Sequence, residues 1–462
     1  MDEQRFEDYW SLIQELLSCP SGEECDILQR HSNLVDEGLV WVMVQVAERM
    51  AEVGNPNADC LRRFTAQLAQ LIGNWKQLYQ KATQLYHQGQ YSQAVIVAEQ
   101  ALALARQLWG DEHFNTVASL NNLALLYHLQ GCLAAAESLY KAALAMIKRL
   151  FPTDHPDVAQ SLNNLAGLYQ SQGCLAVAEP LCEEALAMTK RLFPVDHPNV
   201  AQSLNNLAAL YRLQGRLSAA KPLLEEVLAM NKCLFPQDHP RIATSLNNLA
   251  GLYHLQGRLD AAEPLYKEAL VMRKRLFPVD HPDVAQSLNN LAGLYQSQGC
   301  LNVAEPLLEE ALVMRKRLFP PDHPNVAHSL NNLAELYRTQ GRFDAAKSLL
   351  EEALAMSKRL FPADHALVVT SLNNLAALYQ SQQCWDAAES LLEEALVMSK
   401  RLFPVDHSHI SAILNNLAGL LASTARYSEA LELIKEAAAI ENRLISQAFG
   451  ASSERDRLIS IS

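Results

Sequence analysis

The hexapeptide Ser-Leu-Asn-Asn-Leu-Ala returns at a fixed interval of 42 residues along most of the chain. An interval of roughly 20–50 residues is typical of repeat proteins, in which each unit stacks on its neighbours. Complete copies begin at Ser119, Ser161, Ser203, Ser245, Ser287, Ser329 and Ser371, and a worn copy begins at Ile413. The interval therefore predicts one stacked array rather than a series of separate globular domains.

Each repeat contains two apolar series with helical spacing. In the unit 119–160, the first series lies on one helix face: Leu120, Leu123, Ala124 and Tyr127. Gly131 follows as the predicted helix end, and the second series runs from Leu133 to Ile147. Pro152 prevents continuation of that helix, and Pro156 suits the first turn of the next one. The unit thus reads as helix, tight turn, helix and loop.

Worn copies of the same pattern extend the array at both ends to about nine repeats. The fold class predicted is all-α: a right-handed superhelical α-solenoid over 74–444, since neither helix of a unit can bury its apolar face alone. Residues 1–73 show no echo of the repeat and are predicted to form an N-terminal helical region, with helices near 5–18, 34–52 and 59–72. Residues 445–462 are expected to form a tail or linker.

The apolar spacing within one unit resembles the tetratricopeptide (TPR) signature. The residues that carry it are Leu120, Leu123, Ala124, Tyr127, Ala136, Tyr140 and Ala143. The longer 42-residue unit, with its Leu-Asn-Asn-Leu-Ala and Asp-His-Pro elements, resembles the repeats of kinesin light chains. That resemblance implies a cargo-adaptor role as one alternative. Residues 1–73 do not share this resemblance. They contain no sustained heptad repeat of apolar residues, whereas kinesin light chains carry a coiled coil in this region.

The flanks resemble a different class of protein. Residues 1–73 and the tail from Glu441 to Arg455 are similar to segments of cyanobacterial TPR proteins that end in a caspase-like CHAT domain. The resemblance implies a second alternative, in which this array is the regulatory portion of a CHAT-type protease system. The His-Cys dyad of such a domain would lie beyond residue 462.

Composition and missing motifs exclude several function classes. The net charge of −13, from 38 basic and 51 acidic side chains, disfavours nucleic acid as a partner. The N-terminus lacks the order of a signal peptide, and no apolar run is long enough to predict a membrane span. The nine cysteines form no CxxC pair, which favours reduced thiols and a cytoplasmic location. Without a phosphate-binding, dinucleotide, zinc-protease or esterase motif, we expect no cofactor and no enzymatic activity.

The paired asparagines are the strongest candidates for a binding site. Asparagine is a poor residue inside a helix, so its repeated presence calls for a reason. In TPR proteins the first helix of each unit lines the concave groove, and the resemblance places the second asparagine of each pair there. A carboxamide can pair with a peptide main chain whatever the peptide's side chains are. The predicted groove residues are Asn122, Asn164, Asn206, Asn248, Asn290, Asn332, Asn374 and Asn416. The alternative is that these amides tie neighbouring repeats together, and this is the favoured role of the first asparagine.

Residues near the end of each first helix vary on an otherwise constant scaffold. Gln170, Arg212, His254, Gln296, Arg338 and Gln380 occupy this position, and we include Arg212, His254 and Arg338 in the predicted groove. Small residues such as Gly167, Gly251, Gly293 and Gly419 follow the second asparagine by one turn. A helical glycine indicates close approach of another backbone, which is either a bound peptide or the neighbouring helix.

Seven Asp-His pairs also repeat, and their residue types first suggest metal or acid–base chemistry. Successive pairs are a whole repeat apart, about 10 Å at helix-packing distances, so they cannot share one ion. We therefore predict no metal site and assign the pairs to helix capping and loop packing. The second helices carry both Lys-Arg pairs and Glu-Glu pairs, and this balance of charge predicts a solvated, charge-balanced edge.

Together these features predict a non-catalytic interaction scaffold that binds a peptide or partner protein in a concave groove. Self-association through an exposed end of the stack is a further possibility under this interpretation.

Overall fold

The computed structural model describes residues 3–20, 22–235 and 238–459, of which the side chains of residue 25 and of the residues from 447 onward are not described. The chain divides into two compact units, Met1–Thr153 and Asp154–Ser462. In both units the described residues are helical or lie in turns and loops, so the predicted all-α class is confirmed. No described helix combines the length and the apolar content that a bilayer crossing requires.

The described residues of unit 1 form seven α-helices and one short 3-10 helix at Ser32–Leu34. The helices are α1 Glu3–Ser18, α2 Glu24–Arg30, α3 Glu37–Glu52, α4 Ala58–His87, α5 Tyr91–Trp109, α6 Phe114–Leu129 and α7 Leu133–Leu150. The side chains of α1 to α5 share one hydrophobic core around Ile13, Met43, Leu68 and Trp109. Sequence reasoning missed α2, which has only seven residues, and placed the start of α3 three residues too early.

Helix α4 is longer than expected. It continues through Gly73, where the N-terminal region was predicted to end and the array to begin. Buried Ile72 and Trp75 lie on both sides of the glycine, and their burial offsets a cost of about 1 kcal/mol for glycine in a helix. The predicted limits 1–73, 74–444 and 445–462 stay a prediction, and residues 460–462 of the tail lie outside the described residues.

In the part of unit 2 that the structure describes there are fourteen helices, alternately first and second helices of a repeat. First helices are α8 Pro156–Ser171, α10 Pro198–Leu213, α12 Pro240–Leu255, α14 Pro282–Ser297, α16 Pro324–Thr339, α18 Ala366–Ser381 and α20 Ser408–Ser423. Second helices are α9 Leu175–Leu192, α11 Leu217–Leu234, α13 Leu259–Leu276, α15 Leu301–Leu318, α17 Phe343–Leu360, α19 Trp385–Leu402 and α21 Tyr427–Ile459.

Consecutive helices pack against each other in pairs, and each second helix of unit 2 packs on the following first helix. Counting α4–α5 and α6–α7 of unit 1, the described residues form nine such pairs, as predicted for an α-solenoid. The core is a continuous row of small and branched side chains, for example Ala285, Leu288 and Leu291 of α14 against Ala262 and Tyr266 of α13. Alanines at the contact allow close helix approach.

Candidate functional site

The polar side chains of the interhelical loops make contacts within the protein. In a typical loop, the Nδ1 atom of His281 accepts a hydrogen bond from the backbone N–H of Asp283 at 3.2 Å and caps α14. The same imidazole stacks on Phe277, with ring centroids 3.6 Å apart. Equivalent stacks join Phe193–His197, Phe235–His239, Phe319–His323, Phe361–His365 and Phe403–His407. The capping interpretation of the Asp-His pairs is therefore confirmed.

The aspartate of each loop is also engaged. Asp280 accepts a hydrogen bond from Arg317 Nη2 at 2.8 Å, and this contact lowers the pKa of the carboxyl below its usual value. Lys274 of the same edge reaches Glu310 of the next repeat at 2.8 Å. Among the described residues, no group of three or more His, Cys, Asp or Glu side chains is placed to hold a metal ion. The edge is thus charge-balanced, as the sequence predicted.

The first asparagines join neighbouring repeats. Asn247 is buried and donates from Nδ2 to Ser287 Oγ of the next repeat at 3.1 Å. Asn331 makes the same contact with Ser371 at 3.2 Å. Their carbonyl oxygens in turn accept hydrogen bonds from the second asparagines of the following repeats: Asn290 donates to Asn247 at 3.5 Å and Asn374 to Asn331 at 3.4 Å. The first asparagine is therefore a structural residue.

The second asparagines lie at the surface of the first helices. We define the asparagine stripe as the second asparagines together with the residues four before, three after and seven after each of them. In α14 the stripe residues are Gln286, Asn290, Gly293 and Ser297. Asn122, Asn164, Asn206, Asn248, Asn290 and Asn374 are half-buried, and Asn332 and Asn416 are exposed. In unit 1 the Nδ2 atom of Asn122 is buried without a hydrogen-bond partner. The sequence-predicted asparagines of unit 2 thus occupy the same surface position on successive first helices, and Asn122 occupies it on α6 of unit 1.

Two buried arginines reach the stripe, and one of them, Arg315, fixes the orientation of a stripe amide. Arg315 of α15 is only 5% exposed, and its Nη2 donates to Gln286 Oε1 at 3.0 Å. A guanidinium can only donate, so the amide oxygen of Gln286 must point inward. Gln286 Nε2 then donates to Asn290 Oδ1 at 2.8 Å, and Asn290 donates onward to Asn247. Burial lowers the pKa of Arg315 to about 10, which keeps it cationic at neutral pH.

Arg273 supplies the same arrangement one repeat earlier. It is 5% exposed, donates from Nη1 to Ser287 Oγ at 2.8 Å and from Nη2 to Thr244 Oγ1 at 3.1 Å. The Nε atoms of Arg273 and Arg315 are buried and lack a partner. Sequence reasoning missed both residues, although a signal was present: the equivalent positions in other repeats hold Thr189, Asn231, Ser357 and Ser399.

The side chains at the variable positions differ in how many hydrogen bonds they already make within the protein. Arg338 is held by Glu335 through two hydrogen bonds of 2.8 and 2.6 Å. His254 contacts Ser297 Oγ of the next repeat at 2.8 Å, and burial lowers its pKa. Arg212 has a buried Nε atom without a partner. Of Arg338, His254 and Arg212, therefore, Arg212 retains the most hydrogen-bonding capacity.

The glycines of the stripe lie beside open space. A β-carbon added at Gly167, Gly293 or Gly419 would meet nothing within 4 Å outside its own helix. At Gly251 it would meet the Tyr266 hydroxyl at 3.3 Å and the Arg212 guanidinium at 3.8 Å. A neighbouring helix therefore does not explain the small residue at the first three positions.

Comparison with known proteins identifies the repeat. Models described as tetratricopeptide repeat match residues 77–149, 157–232, 283–359 and 367–442, and a second model of the same description matches 242–283. These matches cover well over half of the chain. No curated protein matches it.

Solved structures with similarity include repeat proteins from several sources. A putative kinesin light chain of Podosopora anserina with nearly identical TPR-like repeats is 28% identical; the match covers 45% of this chain and 98% of that one, with a TM-score of 0.38. BtubC (BKLC) from P. vanneervenii is 25% identical over 51% of this chain and 92% of its own, with a TM-score of 0.38. A Rap protein complexed with competence and sporulation factor is 14% identical over 82% and 99%, with a TM-score of 0.47.

Proposed function

The chain belongs to the tetratricopeptide repeat family, and from this premise we propose that it is a non-catalytic scaffold that binds an extended segment of a partner protein. The proposed binding surface is the asparagine stripe of α8 to α20. The repeats of this family typically build long interaction surfaces, so protein binding is the expected role of the array.

The oriented amides are the observation that carries the proposal. Each amide nitrogen has two hydrogens, and Gln286 and Asn290 each use one of them within the protein. Their oxygens accept hydrogen bonds from Arg315 and Gln286, which fixes the amide orientation, and each amide nitrogen keeps one N–H that a ligand can use. Main-chain carbonyl groups of an extended peptide are the natural acceptors for such a row.

Contacts between the first helices of unit 2 support a groove that these donors would line. Successive first helices contact one another, as in α8–α10, α12–α14 and α16–α18. Helices approach most closely on the inner side of a curved stack, so this arrangement favours a groove along the first helices. The open space over Gly167 and Gly293 leaves room for a backbone to come near the helix.

The test begins with a phage-displayed library of random 12-residue peptides, selected on the full chain. The affinity of a selected peptide is then measured by titration calorimetry. We expect the double variant Asn248→Ala, Asn290→Ala to bind at least tenfold more weakly, because it removes neighbouring donors. Each amide also makes one contact between repeats, so equal helicity of variant and wild type must be checked by circular dichroism.

The matched control carries Lys274→Ala and Lys316→Ala in the same two repeats, on the charge-balanced edge. Its affinity should equal that of the wild type. Equal affinity of all three proteins would place the ligand elsewhere and refute the stripe as the binding surface.

A further inference from the structure

One interhelical turn of unit 2 is contacted by a distant repeat. A β-carbon at Gly173, between α8 and α9, would lie 2.7 Å from Cδ2 of His407 in the loop between α19 and α20. The equivalent turn glycines have nothing within 4 Å: Gly215, Gly257, Gly299 and Gly341. Helix α21 also packs on α9. The first and last pairs of unit 2 therefore meet at Gly173.

His407 makes backbone hydrogen bonds on both sides of this contact. Nδ1 accepts a hydrogen bond from the backbone N–H of His409 at 3.1 Å, and the ring also bonds the backbone of Ser171. Because Nδ1 accepts, the proton must reside on Nε2. Burial and neighbouring His409 lower the pKa of His407 to about 4, so the ring is neutral at physiological pH.

A cavity of about 640 Å³ lies beside this contact, a volume within the usual range of roughly 300–1,000 Å³ for small-molecule sites. We call it the closure cavity. Its apolar wall comes from separate helices: Leu175, Ala176, Leu213, Phe403, Leu444 and Ile445. Leu213 and Ile445 are 59% and 53% exposed, although both are large and apolar. Burial of these side chains by a ligand would be favourable.

The closure cavity has one negatively charged side chain in its described lining. Glu441 lines it, and one carboxylate oxygen accepts a hydrogen bond from Asn415 at 3.2 Å. His407 and His409 also line the cavity, and burial lowers the pKa of His409 as well, so neither compensates the charge. The described lining residues include no Lys or Arg. At the position of Glu441, the preceding second helices carry neutral or cationic residues, such as Asn231, Arg315 and Ser399.

We propose that the closure cavity binds a ligand with an apolar body and a cationic nitrogen head. The body packs against Leu213, Phe403 and Ile445, and the head pairs with the Glu441 carboxylate. Such a head belongs either to a free amphipathic amine or to a lysine or arginine side chain of a peptide. The closure cavity shares Ser171 and Leu213 with the asparagine stripe, but this proposal does not depend on peptide binding along the rest of the stripe.

The experiment uses 4-phenylbutylamine as the probe, with the full chain and saturation-transfer NMR followed by titration. 4-Phenylbutyrate has the same body and the opposite charge, and n-butylamine has the head without the aromatic body. We expect 4-phenylbutylamine to bind at least tenfold more tightly than either. Equal binding of the amine and the acid, or no binding of the amine, would overturn the proposal.

The variants Leu213→Ser and Glu441→Gln locate the bound probe. Serine occupies the position of Leu213 in several other repeats, so Leu213→Ser should fold. Leu255→Ser is the matched control, because Leu255 is the equivalent residue one repeat later, is 58% exposed and does not line the cavity. We expect about tenfold weaker binding in both cavity variants and unchanged binding in the control. An equal loss in Leu213→Ser and Leu255→Ser would refute the site.

A last experiment distinguishes the two sources of the cationic nitrogen. The capped dipeptide Ac-Phe-Lys-NH2 carries the same chemistry on a peptide backbone. Tighter binding than 4-phenylbutylamine identifies a peptide side chain as the ligand, and weaker binding identifies a free amine. Either result supports the proposal only when the variant Glu441→Gln binds the tighter of the two ligands more weakly than the wild type does.

Discussion

The interhelical loops and the asparagine stripe are the two most regularly repeated features of the chain, yet their polar groups are used differently. In the loop of α14, the imidazole of His281 caps a helix and stacks on a ring, and Asp280 holds an arginine. In the stripe, Asn290 satisfies its oxygen internally but keeps an N–H beside open space. Repetition alone therefore does not indicate a binding site, whereas repetition with unused hydrogen-bonding capacity does.

The largest expected difference between the two regions is in stability. His281→Ala removes a helix cap worth about 1 kcal/mol and an aromatic stack worth about 1 kcal/mol, so it should lower the free energy of unfolding by about 2 kcal/mol. Asn290→Ala removes a long hydrogen bond to Asn247 and an exposed one from Gln286, but the higher helix propensity of alanine offsets part of the loss, so it should cost about 0.5 kcal/mol. Urea unfolding followed by circular dichroism measures both. Similar losses would contradict the distinction between the regions.

The loops should also make the protein sensitive to acid. The pKa of His407 is lowered to about 4 in the folded state, so the unfolded chain binds a proton more readily. Its contribution to stability is complete above about pH 6.5, the usual histidine pKa, and is lost as the pH falls toward 4. Between pH 7 and 5 the expected loss is about 1–2 kcal/mol.

The control for this prediction is His407→Asn, which retains a capping side chain without a titrating group. Wild type and variant are unfolded in urea at pH 7 and at pH 5. The variant should lose less stability than the wild type over that interval. Parallel losses would show that His407 does not titrate as its buried position implies.

A smaller effect is expected from the contact between Gly173 and His407. Gly173 and Gly215 have nearly the same backbone, with φ of 71° and 73°, and alanine strains both by about 1 kcal/mol. Only Gly173 has a neighbour from a distant repeat, so Gly173→Ala should cost about 1 kcal/mol more than Gly215→Ala because it displaces His407. Thermal unfolding of the two variants measures the difference, and equal melting temperatures would argue against the contact.

Sequence reasoning recovered the parts of the structure that depend on local periodicity. The leucines and alanines of each unit, the turn glycines and the loop prolines predicted the nine helix pairs because each acts within a few residues of its own position. The capping role of the loop histidines followed from the same local logic.

Features that join distant side chains were not predicted. The orientation of Gln286 depends on Arg315, which is 29 residues away on another helix. The contact of His407 with Gly173 spans more than five repeats and depends on the summed curvature of the stack. Helix α4 passes through Gly73 because tertiary burial of Trp75 outweighs the local preference of glycine.

The most direct test of the central claim compares one cysteine in the stripe with one in a loop. Gly293→Cys places a thiol beside the open space next to Asn290, and Val279→Cys places one in the preceding loop, at a residue that is 78% exposed. Alkylation of each thiol is followed by mass spectrometry with and without a library-selected peptide. The account predicts that the peptide slows alkylation at 293 at least tenfold and leaves position 279 unchanged. Protection at 279, or none at 293, would contradict it.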